Sequence, residues 1–214
     1  MSENINNKNE TVGNNAAWTL SLGHFSIDSY SAFINPIMPF IAAKLGIALT
    51  MATTLISVSH LCSSIIQPLF GYSADILKKR FFIVWGLIIG AVFLSYTGAA
   101  SNVTTLGVCL ALGSMGVAFY HPQATSFVKQ FSGKNSTKYM SIFLAGGTAG
   151  FSAGPLISSF VAQKFGLEQM PVLMVYGIFV GLLLFKFVPK TSDNSSLNDF
   201  INVASKPDFF ISFF

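Results

Sequence analysis

Residues 48 to 74 carry no acidic side chain, lysine or arginine, and the run ends in Asp75 followed by Lys78, Lys79 and Arg80. About 20 helical residues cross the roughly 30 Å hydrocarbon core of a bilayer, so residues 48 to 71 are long enough to span one. Cations gathered at a span's end mark the cytoplasmic side. Gly71 predicts a tight helix end, because no Cβ obstructs it there. Asp75 precedes the next apolar run, where a helix N-terminus favours negative charge.

The same pattern recurs along the chain. Apolar segments fall at residues 17 to 42, 48 to 71, 81 to 99, 104 to 127, 139 to 163 and 170 to 188. With a cytoplasmic N-terminus, the inner loops hold Lys78, Lys79, Arg80, Lys129, Lys134, Lys138, Lys186 and Lys190, and the outer loops only Lys44 and Lys164. Eight cations inside against two outside set the orientation. Charged residues make up 9% of the chain, far below the quarter or so of an ordinary soluble domain. The segments are about twice as long as a barrel strand and do not alternate apolar with polar residues, which excludes a β-barrel. The expected fold is therefore an all-α membrane protein with a six-helix transmembrane bundle over residues 17 to 188.

Outside that bundle, residues 1 to 16 are asparagine-rich without apolar periodicity and read as a disordered cytoplasmic tail. Residues 189 to 208 read as a polar cytoplasmic linker. The last six residues, FFISFF at 209 to 214, read either as an apolar tail or as the start of a seventh helix cut short, and the second is the expectation adopted. The net charge of +4 lies in short clusters between apolar runs, so no nucleic-acid partner is expected. Cys62 and Cys109 sit inside apolar segments with no metal-ligand spacing, and no metal or cofactor is expected. The chain holds no HExxH, GxSxG, Walker or GxGxxG motif, so an enzyme is not expected either.

Gly146, Gly150 and Gly154 recur every four residues in the fifth segment, followed by Pro155. One helix face there lacks side chains, so a neighbour can pack closely. Gly86/Gly90 and Gly177/Gly181 read as simple packing positions. Pro36, Pro39 and Pro122 interrupt the backbone ladder, as in the kinked helices that line transporter cavities.

Asp28 is the one acid well inside a segment, and an ionisable group at that depth is costly unless it faces a cavity or a partner. His24, four residues earlier, shares its helix face. The two can hold an exchangeable proton, or they can be an inert hydrogen bond stapling the helix to a neighbour. His121, in FYHPQ with Tyr120 and Gln123, forms a candidate cavity-lining group, or else it reaches interfacial water. His60 has no local motif and reads as a packed polar residue.

GYSADILKKR resembles the loop between the second and third helices of the major facilitator superfamily, with Gly71, Asp75 and Arg80 at its glycine, aspartate and basic positions. Ile76 and Lys78 depart from it where the family often has arginine and glycine. GFSAGPLISS resembles the superfamily's antiporter motif through Gly150, Gly154 and Pro155, with Ser158 and Ser159 replacing its closing glycines. SLGHFSID, SSIIQPLFGYSAD, AFYHPQ, FSG and GGTAGFSAGP together resemble the fosmidomycin resistance branch. The resemblance implies the N-terminal six-helix half of a proton-coupled exporter of small drug-like or metabolite compounds in a bacterial inner membrane. Its C-terminal half would be missing from this chain. Asp28 and His24 would exchange protons, and the Gly71, Asp75 and Arg80 loop would set conformation. Import on the same scaffold and a non-transporting half are the alternatives.

Overall fold

The computed structural model describes the backbone of residues 2–77, 80–132 and 135–189, and the side chains of residues 14–72, 80–132 and 135–189. Seven helices follow in order among them: α1 (Ser2–Ala32), α2 (Ile34–Leu45), α3 (Leu49–Leu77), α4 (Arg80–Tyr96), α5 (Val103–Phe131), α6 (Ser136–Phe165) and α7 (Met174–Phe187). Among the described residues, five stretches are long and apolar enough to cross a membrane: Leu49–Tyr72, Arg80–Ala99, Val103–Phe131, Ser136–Phe165 and Leu167–Phe187. The first segment supplies the sixth span of the bundle, divided between α1 and α2. Pro36 explains the division: its ring would strike the carbonyl of Ala32, and it has no N–H to donate. The break falls at Phe33, whose own N–H still reaches Ser29 O at 3.1 Å.

Two further boundaries differ from the sequence reading. The backbone is helical from Ser2, inside the stretch read as a disordered tail. Extending a formed helix needs no new nucleus, and Tyr139 ties the extension down by donating to Asn14 Oδ1 at 2.6 Å. Gly71 is no helix end, since α3 continues through it to Leu77. No proline follows to stop the helix, and the only glycines with positive φ among the described residues are Gly46 and Gly166, which terminate α2 and α6. The side chain of Asp75 and the whole of Lys78 and Lys79 lie outside the described residues, as do residues 190–214 with the linker and the FFISFF expectation.

Packing is set by small residues. α1 and α6 pack closely, because a Cβ on Gly146 would come within 2.9 Å of Ser21 O, and one on Gly150 or Gly154 would run into the Phe25 or Ser29 carbonyl. α4 and α5 meet in the same way through Gly86, Gly90 and Gly116. Two apolar cores fill the bundle. One surrounds Leu20, Tyr120, Phe127, Phe143 and Leu184, and the other Phe33, Ile37, Ile41, Leu106 and Met170. Each end is fastened by a cation. Arg80 donates to Val188 O at 2.9 Å, where α7 leaves carbonyls unpaired, and lies over the Phe185 ring at 4.4 Å. At the other end Lys44 donates to Gly98 O at 3.0 Å and pairs with Glu168 at 2.7 Å.

Candidate functional site

α1 and α5 bring together three polar side chains that the sequence separates by almost a hundred residues. Asp28 lies between two imidazoles, with Oδ2 3.2 Å from His24 Nε2 and Oδ1 3.2 Å from His121 Nε2. His24 is buried, and the His121 ring meets it edge-on at 5.1 Å between centroids. α6 closes the third side. The Phe143 ring stacks on His24 at 4.0 Å, and the Phe143 carbonyl lies 2.7 Å from His24 Nδ1. Gly147 leaves the space that the pair occupies, since a Cβ there would be 2.6 Å from both Asp28 Oδ2 and His24 Nε2.

The hydrogen-bond inventory decides what this arrangement can do. A carbonyl only accepts, so His24 Nδ1 must carry a proton and donate it to Phe143 O. In neutral His24 that leaves Nε2 as a bare lone pair aimed at a carboxylate oxygen. Two acceptors 3.2 Å apart repel, so this contact holds only when a proton or another cation lies between them. The Asp28–His121 contact has no such constraint, because neutral His121 can donate from Nε2.

The other residues singled out from sequence fall in different places. Tyr120 is fully buried and donates to Leu20 O at 2.7 Å, pinning α5 to α1 instead of lining a cavity. Gln123 is buried too, and neither its amide nitrogen nor its oxygen has a partner among the described residues. His121 instead opens onto a groove of about 410 Å³ lined by Gln67, Gly71, Pro122, Thr125, Ser126 and Lys129. Gly71 thus belongs to the groove between α3 and α5. Pro122 and Pro155 are accommodated within continuous helices. His60 is exposed, in contrast to the packed position expected for it, and borders a cavity of about 20 Å³ with Ser31, Ser59, Ser63 and Ser114.

A row of polar residues on α3 escaped the reading by motif. Thr50, Thr53, Ser57, His60 and Ser64 follow one another at intervals of three and four, and all are exposed. Gln67 and Gly71 continue the row into the groove. On α6, Thr137, Ser141, Thr148 and Ser152 are exposed as well. The exposed row on the α7 side is apolar by contrast: Val172, Val175, Phe179, Leu182 and Phe185. The signal was present as a helical period of hydroxyls inside an apolar span.

Comparison with known proteins agrees with this architecture. The family profile described as Major Facilitator Superfamily matches residues 20–209. The chain is 26% identical over 151 residues to the fosmidomycin resistance protein of Escherichia coli (strain K12), covering 69% of this chain and 36% of that protein. It is 27% identical over 192 residues to the sialic acid transporter NanX of the same organism, covering 82% and 45%. It is 30% identical over 151 residues to the multidrug transporter protein MdtP of Bacillus subtilis (strain 168), covering 67% and 27%. The chain spans less than half the length of each of these relatives.

Proposed function

The chain belongs to the Major Facilitator Superfamily, and we propose that it forms the N-terminal six-helix half of a secondary transporter that exports a small drug-like or metabolite compound in exchange for protons. Membership makes it a multi-pass membrane protein of a transporter family, with a bilayer and a substrate as its partners. The finer reading rests on one observation, the Asp28 carboxylate held between His24 and His121 inside the bundle.

With a proton on His24 Nε2 the three groups form a neutral set, and all three contacts of His24 and Asp28 are satisfied. Without it the set carries a negative charge and the His24–Asp28 contact is repulsive. Proton binding therefore changes both the charge of the site and the packing of α1 against α5 and α6. Such a difference is what a rocking bundle needs if an ion is to bias its two states. Each proton that crosses 100 mV supplies about 2.3 kcal/mol, enough for roughly a fiftyfold substrate gradient. A second six-helix half would cover the polar rows of α3 and α6 and complete the cavity. The cation distribution supports a cytoplasmic N-terminus, and the reading sets the protein in a bacterial inner membrane.

The test is proton-driven efflux by the complete transporter with Asp28→Asn, in cells treated or not with an uncoupler. Efflux should fall to the uncoupled level, and undiminished efflux would remove Asp28 from the coupling role. Resemblance to a protein named as a sialic acid transporter supports a second reading, uptake of a small metabolite. Flux direction in inverted vesicles separates the two.

A further inference from the structure

Two imidazoles and a carboxylate converging from two helices also make a ligand set of a different kind. His24, Asp28 and His121 each offer one donor atom, and no two of these atoms are more than 4.8 Å apart. Around one zinc-class ion, with bonds of about 2.0–2.2 Å, donors stand roughly 3.3–3.5 Å apart. Asp28 already stands 3.2 Å from each imidazole, through Oδ2 to His24 and Oδ1 to His121, so one carboxylate oxygen as ligand keeps one of these two distances. The other distances need to close by at most about 1.4 Å.

The surroundings fit as well. Phe143 O accepts from His24 Nδ1 at 2.7 Å, which orients the ring and leaves Nε2 as the metal-facing lone pair. The His24–Asp28 contact calls for a cation between its two acceptors, and a metal ion meets that demand as a proton does. His121 borders the groove, which provides an entry path and an open coordination position for water.

We propose that the His24–Asp28–His121 cluster is a binding site for a divalent first-row transition-metal ion of the zinc class, which competes with the proton for the same lone pairs. Imidazole nitrogens with one carboxylate suit such ions and disfavour calcium or magnesium, which take oxygen ligands. Among the described residues, the other ionisable groups near the cluster are both on α5. Tyr120 has its ring 6.0 Å from that of His121 and its hydroxyl bonded to Leu20 O, and Lys129 lines the same groove. α6 faces the cluster with Phe143 and Gly147 and α3 borders the groove with Gln67 and Gly71, none of which titrates.

The experiment is titration of this chain in detergent with Co²⁺, read by its visible absorption, followed by displacement with Zn²⁺. One ion per chain should bind, and it should be displaced by Zn²⁺ but not by Mg²⁺. His121→Ala and Asp28→Asn should each weaken binding by about 100-fold with helix content unchanged by circular dichroism, and His60→Ala should leave it unaltered. Absent Co²⁺ absorption, or binding that survives in the triple variant H24A/D28N/H121A, would overturn the proposal. The inference shares its residues with the transport reading and fails separately from it. Co²⁺ titration does not depend on transport, and the Asp28→Asn efflux assay contains no added metal.

Discussion

Tyr120 and His121 are adjacent in sequence and face different tasks. His121 turns toward Asp28 and the groove, whereas the Tyr120 hydroxyl ends on the Leu20 carbonyl inside the apolar core. Tyr120→Phe keeps the ring and removes one buried hydrogen bond, a loss of about 0.5–1.5 kcal/mol in water-soluble proteins and nearer 0.6 between membrane helices. The unfolding free energy in detergent should fall by that amount, while transport by the complete protein stays within about twofold. A transport defect as deep as that of Asp28→Asn would place the hydroxyl in the site after all. The pentapeptide FYHPQ therefore reads as one motif in sequence but divides in space, because residues one apart on a helix point about 100° away from each other.

Between elements, the α1–α6 contact turns a sequence pattern into a measurable energy. A Cβ on Gly150 would lie within 2.8 Å of the carbonyl carbon and Cα of Phe25, and backbone atoms cannot swing aside as a side chain can. Gly150→Ala should therefore force the two helices apart, at a cost of about 2–3 kcal/mol. Gly107 is the control: a Cβ there meets nothing within 4 Å, so Gly107→Ala should be neutral or stabilise by up to about 1 kcal/mol. Unfolding of both variants in detergent checks the contrast, and equal effects would refute the close-packing account. This four-residue glycine period was legible in the sequence, as were the spans and the i, i+4 spacing of His24 and Asp28. The contacts of His121 with Asp28 and of Phe143 O with His24 were not, since no periodicity relates positions 28, 121 and 143. The break at Phe33 was only half legible: Pro36 and Pro39 both announce a kink, and α2 runs through Pro39 while the division falls ahead of Pro36.

At the scale of the whole molecule, the exposed rows on α3 and α7 tell two environments apart. α7 shows valine, leucine and phenylalanine to its surroundings, as a lipid-facing helix does. α3 shows Thr50, Thr53, Ser57, His60 and Ser64 in one row, beside the exposed Met51, Val58, Leu61 and Ile65. Its hydroxyls bond carbonyls of their own helix, with Ser57 reaching Thr53 O at 3.0 Å and Ser64 reaching His60 O at 2.9 Å. That satisfies their protons but leaves oxygen lone pairs free to accept from water, substrate or a second bundle. Thr53 and Ser64 lie eleven residues apart, about 16 Å along the axis. Rigid rocking of this bundle against a second one opens one end of such a row as it closes the other. In the complete transporter, single cysteines at Thr53 and Ser64 should therefore respond in opposite senses to a saturating substrate or a change of pH, as read by maleimide labelling. A cysteine at Phe179, on the apolar row of α7, should not respond. If Thr53 and Ser64 became accessible together, the row would line a continuous pore or a loosening interface, and alternating access would be lost as the mechanism while the membrane fold stood.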